Sequence, residues 1–431
     1  MFSLAPSLAM KKFWRGGLVL TIALQFVGLG NMAFSILIGH HLKKGGDFGL
    51  VNTTLSFMAL LGLPLTMATM AITHYVARFN FSGDDARLQG LLAGCRKFLL
   101  RLTIGGSLLA VILIKPLSAF FHFPGQLTVI VLVSVLAGLW GGFATALCQG
   151  MAWFKRLALI SILTVVLRLA FGGLVVWKFP TPEWAVMATG FSTLSFAVLL
   201  FWRKQLSWSG TAAISPWDRE FALYFIVAAA YAIGGYCFNQ GDLLLIQHRF
   251  YSDDFDTQRD AYTAAGVFAR SLPMAVAPLL TVLFTHRSSA HTHGPEAVRD
   301  QFKLLGLYTL GVAGGAAGLI VLRSLWLTLL AKNSTAAGDM LVQLTWTMVS
   351  ISLIQAFAAW ALASRWLKLS LCYGGLGVAY WLTLFILGKT FDDLLRIMPI
   401  AAALTMVILF AGWWLTMWRA ERAETAKILK R

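Results

Sequence analysis

About twelve runs of apolar residues follow one another along the chain, near 14–39, 50–72, 98–121, 126–148, 157–179, 184–202, 220–246, 263–285, 302–323, 340–362, 367–388 and 395–418. Each approaches the roughly 20 residues that a helix needs to cross a bilayer. Strands of a membrane barrel would be about half that length and would alternate in polarity, so the runs predict a bundle of spanning helices. Composition agrees: 58% of the residues are hydrophobic and 12% charged, against about a quarter charged in soluble domains. The expected fold class is an all-α membrane protein of about twelve transmembrane helices.

Charge sets the orientation. With the N-terminus inside, the inner segments carry 23 Lys and Arg and the outer segments 10, while Arg168 and Arg270 fall inside spans. The positive-inside rule then places both termini in the cytoplasm. Topology and attraction to anionic lipid account for the net charge of +17, so membrane lipids are expected partners and nucleic acid is not. The first run follows Lys11, Lys12 and Arg15 and is too long for a signal-peptide core, so it reads as an uncleaved helix. Cys95, Cys148, Cys237 and Cys372 lie far apart with no CxxC spacing, which indicates neither a disulfide framework nor a metal site. Three histidines in "HRSSAHTHG", 286–294, lack the cysteine or acid that would complete a ligand set. No cofactor is expected.

The chain repeats itself. "LIGH" at 37–40 answers "LIQH" at 245–248, Asn31 answers Asn239, and "LPLTMA" at 63–68 answers "LPMAVA" at 272–277, all at offsets of 208 or 209. Two six-helix lobes are expected, 1–205 and 220–431, joined by a cytoplasmic linker at 206–219. Because both halves begin inside, they are parallel repeats related by a pseudo-two-fold axis along the membrane normal. Ser215-Pro216-Trp217-Asp218 in the linker is a helix start signal. Such lobes around a cleft suit a transporter that alternates between inward-open and outward-open states.

Polar residues inside the spans are the candidate site. Arg168 falls about 16 Å into its span, close to the midplane. A charge there costs about 2.5–3.5 kcal/mol, so it faces either a substrate or a buried partner. Arg270 lies about 12 Å deep, either a substrate ligand or the partner of Asp242. Asp242, the one acid inside a span, lies about 33 Å along the seventh run. It admits three readings: an ion pair with Arg270, a cation or proton coupling site, or an interfacial residue. Asn31 and Asn239 suit sugar hydroxyls or interhelical bonds. Gln149 ends the fourth run at the inner rim, where an amide can meet a sugar or the interface. Pro64, Pro273 and Pro278 are candidate hinges, since proline removes a helical hydrogen bond.

"LCQGMAWFKRLALISILTVVLRLAFGGLVV" at 147–176 resembles the segment of bacterial polysaccharide (O-antigen-type) flippases in which a QG-x-x-x-F-like turn precedes a helix carrying arginine. "GDLLLIQHRF", then "YTAAGVFARSLPMAVAPLLTVLF", is similar to their helix 7 to helix 8 hairpin, and "GDFGLVNTTLSFMALLGLPLTMATMAITHYVAR" to their helix 2 region. The resemblance covers most of the first 290 residues. It implies membership of the superfamily that also holds lipid II flippases and multidrug and toxin extrusion transporters. The activity it implies is movement of a polyprenyl-diphosphate-linked oligosaccharide across the bacterial cytoplasmic membrane by alternating access. Other polysaccharide-assembly membrane proteins are then candidate partners. A cation- or proton-coupled drug or metabolite antiporter of the same fold is the alternative. An enzyme is not expected, because the outer loops are too short for a catalytic domain. The major facilitator architecture is disfavoured because the inner loop "THYVARFNFSGDDARLQGLLAGCRK" lacks its Gly/Asp/Arg signature.

Overall fold

A computed structural model describes residues 8–42, 44–201, 219–289, 295–330, 335–364 and 366–428. Fifteen α-helices and one 3-10 turn make up nearly all of them, and there is no strand among the described residues. In chain order the helices are α1 (Leu8–His41), α2 (Asp47–Leu61), α3 (Leu63–Ser82), α4 (Asp85–Phe121), α5 (Gly125–Gly150), α6 (Phe154–Lys178), α7 (Pro182–Phe201) and α8 (Arg219–Asn239). Then follow α9 (Gly241–Arg249), α10 (Asp256–Ser289), α11 (Pro295–Val321), α12 (Arg323–Leu329), α13 (Thr335–Ala363), α14 (Leu367–Leu387) and α15 (Phe391–Ile428). Within the described residues, each of the twelve apolar runs lies on one helix or on two consecutive ones. Among the described residues eight helices are individually long and apolar enough to cross a membrane, and α2 with α3 adds a ninth as a pair.

Helix ends are set by local chemistry. The Asp84 carboxylate accepts from the Arg87 backbone N–H at 3.1 Å and opens α4, just after Gly83 turns the chain at φ 69°. At α15 the Thr390 hydroxyl accepts from the Asp393 N–H at 3.1 Å, while the Asp393 carboxylate accepts from the Thr390 N–H at 3.2 Å. That reciprocal pair is a capping box with aspartate in the place of glutamate. Hydroxyls inside the spans bond their own preceding turn, as Thr54 does to the Leu50 carbonyl at 2.7 Å and Thr405 to the Ala401 carbonyl at 2.8 Å. Satisfied this way, they carry little cost in an apolar medium.

Two spans differ from the sequence expectation. The run at 50–72 is two helices bent by 48° at Gly62, and Pro64 sits in the first turn of α3, where its missing N–H is harmless. The run at 220–246 ends at Asn239 and resumes at Gly241, with a turn at Gln240, so Asp242 opens a new helix instead of lying deep along an old one. Pro273 and Pro278, by contrast, interrupt nothing: α10 runs unbroken from Asp256 to Ser289. The linker signal at 215–218 and His291 and His293 lie outside the described residues.

The chain forms two compact units, Met1–Ala229 with Ile246–Asp260, and Ala230–Leu245 with Ala261–Arg431. In the first, α5 packs on α3 and α7, and α1 packs on α6. Its core includes Tyr75, Val76, Leu91, Leu99, Phe143 and Leu147. The sequence reads about 248–262 as an outer loop, yet 253–255 form the 3-10 turn and 256–260 begin α10, all within this unit. The Asp260 carboxylate accepts from the Gly49 N–H at 2.8 Å near the start of α2, and Arg259 donates to Gln247 at 3.2 Å and pairs with Asp256. Gly46 precedes α2 at φ 84°, and an added Cβ there would lie 2.6 Å from the Asp256 carboxyl carbon. In the second unit α13 packs on α15 and α11, and α14 on α15.

Candidate functional site: two polar clusters within the spans

The apolar spans hold two clusters of charged and amide side chains, one in each unit. In the first unit Arg168 is the fifteenth of the 25 residues of α6. Its Nη1 donates to the Asn31 side-chain oxygen on α1 at 2.9 Å. The guanidinium carbon stands 4.3 Å from the centroid of the Phe34 ring, one turn further along α1. An amide and an aromatic face therefore hold this charge, both weaker partners than a carboxylate. Its Nε is buried and has no hydrogen-bond partner. Helix approach makes the arrangement possible: an added Cβ on Gly172 would lie 2.6 Å from the Phe34 ring, so glycine lets α6 close onto α1.

In the second unit Asp242 lies in the first turn of α9 and is 2% exposed. One of its oxygens, Oδ2, pairs with Arg270 Nη2 and accepts from the Tyr262 hydroxyl, both on α10. The other, Oδ1, is buried with no hydrogen-bond partner. Arg270 also donates from Nε to the backbone carbonyl of Asn239 at 2.8 Å. That carbonyl is an orphan of the helix end, so the break at Gln240 supplies an acceptor for the arginine as well as a place for the acid. Trp381 on α14 donates to the Gly241 carbonyl at 2.9 Å. An added Cβ on Gly241 would lie 2.6 Å from the indole, so glycine is required at the break for a steric reason. Tyr380 lies within electrostatic reach of both charges, and its buried hydroxyl has no hydrogen-bond partner.

Of the residues singled out by sequence, Asn239, Asp242 and Arg270 thus meet in one cluster, and Asn31 and Arg168 in another. The two repeat-related asparagines each touch an arginine in different ways. Asn31 uses its amide oxygen, whereas Asn239 spends its amide N–H on the Gly235 carbonyl at 2.7 Å and offers its backbone. Gln149 belongs to neither cluster: in the last turn of α5 it accepts from the Thr73 hydroxyl at 3.4 Å. The expectations missed Tyr262, Tyr380 and Trp381. Aromatic residues are common throughout the chain, so only the three-dimensional arrangement separates these from packing. No group of three metal-ligating side chains occurs among the described residues.

No protein-family model matches the chain, and no curated protein does. Solved structures do. An inward-facing structure of a multidrug resistance MATE family transporter of the MOP superfamily aligns at TM-score 0.63 with 12% identity, over 93% of this chain and 99% of that one. An outward-facing structure of such a transporter aligns at 0.60 with 12% identity, over 94% and 96%. A point mutant of the Vibrio cholerae MATE transporter VcmN aligns at 0.60 with 15% identity, over 96% and 97%. At these identities the likeness is one of fold. It establishes the expected fold class, an all-α membrane fold of about twelve spans in two six-helix lobes.

Proposed function

We propose that this chain is a membrane transporter, not an enzyme, that works by alternating access and couples substrate movement to a proton or a monovalent cation at Asp242. One observation carries the reading: a carboxylate that is 2% exposed, with Oδ2 held by Arg270 and Tyr262 and Oδ1 without a partner. A buried carboxylate with one free oxygen can take up a proton or a cation, and intramembrane acids mark ion pathways. The fold supports it, since solved structures of the same fold are described in both inward-facing and outward-facing conformations. Neutralising Asp242 loosens its hold on Arg270, which gives ion binding a route to move α10 against α9. The substrate class proposed is a drug or small metabolite, exchanged against the ion. The chain would lie in the bacterial cytoplasmic membrane with both termini inside, as the loop charges predict.

In proteoliposomes the wild type is expected to export a cationic dye in response to an imposed proton or sodium gradient. The Asp242→Asn variant is expected to retain dye exchange and lose the response to the gradient. Export that is equally gradient-driven in the variant would rule out Asp242 as the coupling group.

A second reading rests on Arg168, whose unpartnered Nε is a donor aimed at nothing in the protein. Guanidinium groups bind phosphate oxygens through paired N–H donors. This supports transfer of a polyprenyl-diphosphate-linked oligosaccharide between leaflets, with the sugar-assembly proteins as partners. Under it, Arg168→Ala is expected to cut leaflet transfer of such a lipid by about tenfold or more, the loss of roughly one charge-assisted bond. Unchanged transfer at normal expression would remove this reading and leave the antiporter standing.

A further inference from the structure

A second feature of the first unit has no part in either polar cluster. Beside the bend at Gly62, the first turns of α3 face α4, α5 and Phe225 of α8 across a cavity of about 170 Å³, lined by Pro64, Leu65, Thr69, Phe98 and Leu102 among others. Thr69 contributes the one hydroxyl of the lining, and all the remaining side chains are apolar except for the Cys95 thiol. An apolar space of this size stays dry and accepts hydrocarbon; one of about 150 Å³ takes a benzene ring. Two of the lining residues, Phe98 and Leu102, are 46% and 37% exposed. They belong to α4, almost none of whose apolar stretch is buried. The rim of the cavity is therefore on a surface that a spanning helix turns toward lipid.

Cations flank that rim. Lys97 and Arg101 immediately precede Phe98 and Leu102 in sequence and are themselves exposed. At i,i+4 spacing they stand on one strip of α4, roughly 6 Å apart, beside the strip that carries the two rim residues. The inner ends of spans are where the positive-inside rule expects such residues, at headgroup depth. Charge and cavity together have the outline of one molecule: an anion at the surface and a hydrocarbon chain beneath it.

We infer that α3, α4 and α5 form a binding site for an anionic phospholipid of the bilayer, with its phosphate on Lys97 and Arg101 and the end of one acyl chain in the cavity beside the α2–α3 bend. Neither Arg168 nor Asp242 lines this cavity. This site is independent of which substrate the chain moves.

The test uses the full chain in nanodiscs containing a trace of phosphatidylglycerol that carries a diazirine at the end of one acyl chain. A parallel sample uses phosphatidylcholine with the same chain. After photolysis, peptides covering 64–72 and 139–143 are expected to carry more label from the anionic lipid, by about fivefold for each cation engaged. Lys97→Gln with Arg101→Gln should abolish the preference between the two lipids. Ala68→Phe, which fills the cavity, should remove label from 64–72 while label on exposed Leu108, Leu109, Val111 and Ile112 persists as an internal control of folding and insertion. Equal labelling by the two lipids in the wild type would overturn the site, with no variant needed. So would cavity peptides labelled no more than the buried core around Leu127 and Val131.

Discussion

Replacing Arg270 by alanine is expected to destabilise the folded protein by about 3–5 kcal/mol, the cost of leaving a buried acid without its cation. Asp242 is 2% exposed, so it has little solvent to take the place of the guanidinium. The same change also strips the Asn239 carbonyl of its donor at 2.8 Å, adding an unsatisfied backbone group at a helix end. The pair itself need not be stabilising relative to an apolar replacement, because both charges were desolvated to form it. Pairing Arg270→Ala with Asp242→Asn should therefore recover most of the loss, as Tyr262 still has an oxygen to donate to. Unfolding in mixed micelles measures both variants. A single variant within about 1 kcal/mol of wild type would show that Asp242 has another cation or is already neutral.

The second large effect concerns a place with no charge at all. On α14, an added Cβ at Gly377 would lie 2.6 Å from the Gly234 Cα and 3.0 Å from its carbonyl oxygen. At Gly374 the nearest atoms are the Ala230 carbonyl oxygen at 2.6 Å, its Cβ at 2.7 Å and its Cα at 2.8 Å. These are mainly atoms of the α8 backbone, which no change of rotamer moves aside. Gly377→Ala is therefore expected to push α14 off α8 and to cost about 3 kcal/mol, the upper end of ordinary overpacking. Gly375, two residues earlier, meets nothing within 4 Å, so Gly375→Ala should lie within about 0.5 kcal/mol of wild type. The two variants have the same composition and differ only in where one methyl group sits. Equal melting temperatures in detergent would refute the close approach of α8 and α14.

The spans were legible because a bilayer imposes a length and a polarity on any helix that crosses it, and hydropathy reads both. The Asp242–Arg270 pair was legible as one of three alternatives, since opposite charges in consecutive runs have few other ways to be neutralised. Its surroundings were not. The break at Gln240 is short and leaves hydropathy unchanged, so a single run hides two helices there. The three candidate hinge prolines differ in their setting: Pro64 lies beside a bend of 48°, while Pro273 and Pro278 lie in an unbroken helix. Whether a proline bends a helix depends on what satisfies the freed carbonyl, which sequence does not show. The charged stretch from Asp253 to Asp260 looked like a solvated loop because its partners, Gly49 above all, lie far away in the chain; the Gly49–Asp260 bond spans 211 residues. As to function, the resemblance to polysaccharide flippases pointed to Arg168, whereas the ion-coupled exchange proposed above rests on the free oxygen of Asp242.

The order in which these partners are synthesised has its own consequence. Arg168 finds Asn31 137 residues upstream, so α1 is already in the membrane when α6 emerges. Asp242 has no such advantage: its arginine comes 28 residues later. At roughly 5–20 residues per second, the ribosome delivers it only about 1–6 s afterwards. During that interval the acid has no counter-charge, and lipid would reject it. The α9–α10 hairpin is then expected to enter the bilayer as one unit, with Asp242 and Arg270 neutralising each other.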